Sequence, residues 1–211
     1  MIDFRGRKVM IFGGGSVGER KAGLFSPHAD TTVISTGFTQ ELEKLGKSGR
    51  VKLMSYDVDS LSDAEIQDLV SDAFLVIPAT SNALLNERII GIANKNNVLV
   101  NQVDSIGDVV VPSVIQRGNL TIGISTLGSS PAISKYARKN IEQVITIQYE
   151  DMIRIQDEMR TYLKQNVPDQ KTRKEILWKI IDDKAVWDAL SDSYEKAYKI
   201  AYGIVLEHMG K

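Results

Sequence analysis

The residues best suited to chemistry in this 211-residue chain fall in three short stretches. The first, Gly13-Gly14-Gly15-Ser16-Val17-Gly18, sets glycines at the first, third and sixth places of a loop. An apolar run, Lys8 to Phe12, precedes it, and a helix-forming stretch beginning Glu19-Arg20-Lys21-Ala22 follows. This spacing suits a dinucleotide pyrophosphate. Gly13 permits the tight turn, Gly15 lets the backbone approach the phosphates, and Gly18 lets the new helix pack against the strand. The phosphates would lie at the helix N-terminus, at Ser16 and Val17, where unpaired N–H groups and the helix dipole favour negative charge.

The second stretch is Asn101-Gln102-Val103-Asp104. Asp104 follows an apolar strand and is the candidate proton-transfer or substrate-orienting carboxylate; as a base it would need burial to raise its pKa. Turn chemistry before Gly107 is the other reading of an Asp at this place. Asp108 lies nearby, but two carboxylates alone do not support a metal, so no metal ligands are assigned. The third stretch is Ser125-Thr126-Leu127-Gly128-Ser129-Ser130-Pro131. Ser130 as N-cap and Pro131 at the first helical position define a helix start, and the hydroxyls with free N–H groups could receive a carboxylate or phosphate. Lys135, Arg138 and Lys139 add positive charge just beyond; a capped helix with a solvated basic face is the plainer alternative. His28 and His208 have no Asp or Ser at triad-like spacing and are expected at the surface.

Positioning these groups requires a sheet. Apolar runs at Lys8–Phe12, Thr31–Ile34, Val51–Ser55, Phe74–Ile77 and Val98–Asn101 alternate with stretches of helical spacing such as Leu61–Val70 and Leu84–Ala93. That alternation predicts a Rossmann-type doubly wound parallel α/β sheet, whose ligands bind beyond the carboxyl ends of the strands. The rule selects the glycine loop, Ser35-Thr36, Ala79-Thr80 and Asn101 as cofactor-contacting positions; Thr80 or Ser81 could equally cap the next helix. The second strand ends without the Asp or Glu that commonly meets the ribose 2′-hydroxyl, and without an Arg for a 2′-phosphate, so this corner does not distinguish NAD from NADP.

Beyond Asp104 the pattern changes. Asp108–Ile115 and Leu120–Ile124, around Arg117-Gly118-Asn119, predict a hairpin in which Pro112 marks an edge. Ala132 to about Lys164 reads as one helix, a break follows at Pro168, and helices are expected over Lys171–Asp182 and Lys184–His208. Trp178, Trp187, Tyr194, Tyr198 and Tyr202 are expected in a core or interface. The predicted division is residues 1–107 for a nucleotide domain, 108–145 for a β hairpin and helix start serving dimerisation and substrate, and 146–211 for a small helical domain.

Composition sets bounds. With 26 basic against 27 acidic residues the chain has a net charge of -1, which argues against nucleic acid as a partner. The absence of cysteine excludes thiolate chemistry and disulfides. No apolar run approaches a membrane span and no signal peptide is visible, so a cytoplasmic location is expected.

Taken in order, Gly13 to Ala22, Pro78-Ala79-Thr80, Asn86-Glu87-Arg88, Asn101 to Asp104, Val111 to Arg117 and Ser125 to Pro131 resemble the precorrin-2 dehydrogenase module of siroheme synthases, over about Arg5 to Glu142. The resemblance implies NAD as cofactor, a homodimer, and oxidation of precorrin-2 to sirohydrochlorin. It implies a role in dehydrogenation for Asp104, which in bifunctional members extends to iron insertion, and places Thr126 where one bacterial branch has a substrate-region serine. Precorrin-2 is a polycarboxylate, so a near-neutral protein must meet it with local donors; Arg117, Ser125, Thr126, Ser129, Ser130 and Lys135 are the candidates. A bifunctional dehydrogenase and ferrochelatase, and a non-catalytic NAD-sensing module, are the alternative readings.

Overall fold

The computed structural model describes residues 2–103 and 105–210. Five parallel strands, β1 (Lys8–Phe12), β2 (Asp30–Ser35), β3 (Lys52–Ser55), β4 (Leu75–Pro78) and β5 (Leu99–Val100), form one sheet in the order β3-β2-β1-β4-β5. Helices α1 (Ser16–Phe25), α2 (Gln40–Lys47), α3 (Asp63–Val70) and α4 (Ala83–Lys95) connect them, with a 3₁₀ turn at Val58–Ser60. The chain order reverses between β1 and β4, so the crevice opens there.

Strands covered on both faces must be apolar on both faces, and β1 shows this. Met10 and Phe12 pack with Ile66, Val70, Leu85 and Ile89 of α3 and α4. Val9 and Ile11 pack with Ala22, Phe25, Leu42 and Leu45 of α1 and α2. Phe12 is fully buried, and truncating such a side chain to Ala costs about 3–5 kcal/mol. α3 begins with a capping box in which Ser62 and Glu65 satisfy each other's backbone N–H groups, and Thr39 caps α2.

Two compact units divide the chain, Met1–Val111 and Pro112–Lys211. In the second, strands β6 (Ser113–Arg117) and β7 (Leu120–Ile124) pair as an antiparallel hairpin, followed by α5 (Pro131–Val144), α6 (Gln148–Asn166), α7 (Gln170–Asp182), α8 (Lys184–Leu190) and α9 (Tyr194–His208). Met152, Ile155, Met159 and Leu163 recur at helical spacing on α6 and form a core with Ile176, Ile180, Val186, Leu190, Ala201 and Val205.

Three expectations are corrected. The helix expected from Ala132 to Lys164 is two helices, broken where Val144-Ile145-Thr146-Ile147 sets four β-branched residues in a row, which lose side-chain freedom in a helix. The helix expected over Lys184–His208 is also two, because Ser193 caps a new start by accepting from the Lys196 N–H at 3.2 Å. The hairpin's first strand begins only at Ser113. Asp108 instead accepts from the Val100 N–H at 3.0 Å, and the Val109 N–H donates to the Val100 carbonyl at 3.1 Å, holding that segment to β5. Trp187 donates its indole N–H to the Ile181 carbonyl and packs on the helical core, whereas Trp178 is 54% exposed. His28 and His208 are exposed.

Candidate active site

The glycine loop is built by close approach. Gly13 has φ +120°, and a Cβ there would lie 2.3 Å from the Ala79 carbonyl oxygen. A Cβ at Gly18 would lie 1.9 Å from the Gly13 carbonyl oxygen, so α1 can sit against the loop only if this residue has no side chain. A Cβ at Gly15 would meet nothing within 4 Å: its free face looks into open space at the start of α1, as approach of a phosphate requires. Gly14, to which the spacing assigned no role, is equally constrained, since its Cβ would fall 2.1 Å from the Gly37 carbonyl oxygen.

These residues border a cleft of about 450 Å³. Gly13, Gly15, Ser16, Val17, Ser35, Ala79 and Thr80 all line it, bringing together seven of the nine positions expected at the cofactor. Gly18 lies buried behind the loop. Asn101 does not line the cleft. It is buried at the end of β5, where its amide donates to the Val109 carbonyl at 2.6 Å and accepts from Lys21 Nζ at 2.6 Å. Burial, with the Arg20 charge adding, holds the Lys21 ammonium pKa below its usual 10.5.

Thr80 is not a helix cap. Asn82 caps α4, accepting from the N–H groups of Leu84 and Leu85. Thr80 is instead clamped by Asn86, whose side-chain oxygen accepts from the Thr80 hydroxyl at 2.7 Å and N–H at 3.1 Å while its amide donates to the Thr80 carbonyl at 3.1 Å. Two carboxylates that strand-end reasoning missed, Asp57 and Asp59, also line the cleft; they follow β3, the strand beside β2.

Asp104 lies outside the described residues. In the second unit the helix start is as expected: Ser130 accepts from the Ile133 N–H at 3.3 Å, and Pro131 opens α5. Thr126 organises the loop, its hydroxyl accepting from the Ser130 N–H at 3.0 Å and contacting the Ser134 hydroxyl at 3.2 Å. Ser125 accepts from the Leu127 N–H, and Leu127 and Gly128 take left-handed conformations, φ 50° and 79°. Ser129 and Lys135 are exposed beside them. Arg117 does not join this group. It pairs with Leu120 at the turn end of the hairpin, whereas Ser125 follows the opposite end, roughly 14 Å away at about 3.4 Å per strand residue. Its guanidinium donates to the carbonyls of Ile145 and Gln116. Arg138 is likewise engaged, pairing with Glu142 at 3.2 Å.

Residues 1–113 match a family model described as "Putative NAD(P)-binding". The chain is 58% identical over 209 residues, 99% of its own length and 93% of the relative's, to the precorrin-2 dehydrogenase of Methanosarcina barkeri. This chain belongs to the precorrin-2 dehydrogenase family. Among solved structures, the fold is similar to that titled "SirC, precorrin-2 dehydrogenase", with a TM-score of 0.76 at 24% identity, covering 97% of this chain and 96% of that one. Siroheme synthase 1 of Yersinia enterocolitica is 27% identical over 175 residues, 82% of this chain and 36% of that protein. The precorrin-2 dehydrogenase family resemblance drawn from the ordered motifs is thereby borne out, as is the parallel α/β architecture. Among the described residues, no group of three or more His, Cys, Asp or Glu could hold a metal ion, and no helix is long and apolar enough to cross a membrane.

Proposed function

We propose that this chain catalyses the NAD-dependent oxidation of precorrin-2 to sirohydrochlorin. Near-full-length identity to a precorrin-2 dehydrogenase carries the reading, and the open face of Gly15 at the start of α1 supports dinucleotide binding physically. The substrate would lose a hydride and a proton, and NAD⁺, held by the glycine loop, would supply the hydride acceptor. The protein's own task is positioning. Gly13, Gly15, Ser16 and Val17 cradle the pyrophosphate, with Gly18 closing the loop behind them, and Ser35, Ala79 and Thr80 border the rest of the cofactor. Ser125, Thr126, Ser129, Ser130 and Lys135 receive substrate carboxylates, and Asp104 takes or orients the departing proton.

The division of labour follows the chain: residues 1–107 hold the cofactor, 108–145 serve dimerisation and substrate, and 146–211 form the helical support. A homodimer in the cytoplasm is part of this reading. Its support is a hairpin that, among the described residues, has two strands with unpaired outer edges, beside exposed apolar side chains at Val114, Ile133, Tyr136, Val144 and Ile147. Sedimentation at several concentrations tests it, and a monomer throughout removes it.

Anaerobic incubation of the purified protein with precorrin-2 and NAD tests the activity. Sirohydrochlorin and NADH are expected to rise in equal amounts. NAD binding without tetrapyrrole turnover would instead identify a sensing module. Ferrous or cobaltous ion added after dehydrogenation tests metal insertion separately.

A further inference from the structure

The glycine-loop cleft carries its charge on one sign only. Among the described residues lining it, Asp57 and Asp59 are the charged ones, and no lysine or arginine joins them. Neither takes part in an ion pair among the described residues. Both are oriented by neighbours on the cleft wall. Asp57 accepts from the Asp59 N–H at 3.2 Å as the cap of the 3₁₀ turn, and Asp59 accepts from the Asn82 side-chain amide at 3.3 Å. Each bond leaves further carboxylate lone pairs free to accept.

Their placement answers the question left at the second strand. β2 ends in Ser35, which offers a hydroxyl rather than a carboxylate at the corner where adenosine ribose is usually met. The register pairs Ser35 with Ser55, and the Tyr56 N–H donates to the Ser35 carbonyl at 3.2 Å. The segment leaving β3 is therefore stitched to the end of β2, and it brings Asp57 and Asp59 to the same cleft as Ser35 and Thr36.

We infer that Asp57 and Asp59 select NAD over NADP, supplying from the neighbouring strand the acidic rim that β2 lacks. Their carboxylates accept hydrogen bonds from unmodified ribose hydroxyls and repel a 2′-phosphate, which finds no cation among the described residues of the cleft to receive it. The inference deepens the reading of this cleft as the cofactor site and rests on it.

Calorimetric titration of the protein with NAD and with NADP, without tetrapyrrole, tests it. NAD is expected to bind tighter by about tenfold or more, and the ratio to shrink as salt is raised from about 0.05 M to about 0.5 M, because repulsion at this open cleft is screened. Asp57→Asn with Asp59→Asn, which keeps shape and acceptor oxygens, is expected to bring the two affinities within about threefold, mainly by tightening NADP. Asp57→Glu with Asp59→Glu keeps the discrimination. A native ratio unchanged by salt, or a double Asn variant that still discriminates fully, overturns the inference while leaving the cofactor site intact. Absence of heat with both nucleotides overturns the cofactor reading itself.

Discussion

Lys21 Nζ donates to Asn101 Oδ1 at 2.6 Å, joining the helix that follows the glycine loop to the end of the last strand of the sheet. Asn101 is buried, and its amide is already given to Val109, so its orientation is fixed from both sides. The segment that leads toward Asp104 thus starts from an anchored point.

Lys21→Met leaves the Asn101 oxygen buried without a partner, and is expected to lower unfolding free energy by about 1–3 kcal/mol in urea denaturation. A pH dependence accompanies it. Because burial lowers the Lys21 pKa in the folded state, the unfolded chain binds the proton more tightly, and the native protein gains stability as pH rises through the window between the folded value and 10.5. The Met variant is expected to lack that rise. Parallel curves for the two proteins would refute the coupling.

Gly15→Ala and Gly18→Ala separate binding from folding. The first adds a methyl in open space, so thermal stability is expected to stay near native while NAD binding weakens by about tenfold or more, roughly 1.4 kcal/mol. The second forces a methyl to 1.9 Å from a carbonyl oxygen, and is expected to destabilise the protein by several kcal/mol, of order 3. Melting curves with and without NAD distinguish them.

Asp104→Asn is expected to reduce turnover about 10²–10⁴-fold with NAD affinity unchanged, the range for loss of a proton-transfer group. Comparing kcat against pH for the two proteins checks the role: the native profile loses an ionisation in the variant. Equal turnover would remove Asp104 from the reaction.

Arg117 and Lys135 are expected to behave oppositely. Arg117→Ala removes bonds to two backbone carbonyls and is expected to cost about 1–2 kcal/mol of stability with little change in KM for the tetrapyrrole. Lys135→Ala, at an exposed position beside the Ser125–Ser130 loop, is expected to raise KM about three- to tenfold with stability unchanged. Steady-state kinetics and denaturant midpoints for both variants decide it.

What could be read from the residues alone was whatever depends on near neighbours. The run Lys8–Phe12 announces a strand covered on both faces, and the roles expected of Gly13, Gly15 and Gly18 match the space each one has. Gly14 could not be assigned because its neighbour, the Gly37 carbonyl, arrives from beyond β2. Asp57 and Asp59 were missed because their contribution depends on β3 lying beside β2, a fact of sheet order rather than of spacing. Arg117 illustrates the converse: eight positions from Ser125 looks close, but a hairpin turns that interval into the length of a strand. The break after Val144 was open to view, since four β-branched residues stand there in succession.

The Asn86 clamp on Thr80 bears on how a visitor is received. With its hydroxyl, N–H and carbonyl already spoken for, Thr80 has its backbone set before any nucleotide arrives. Little disorder is left at that edge for an incoming molecule to quench, so capture there resembles a coin dropping into a slot rather than a hand closing on it.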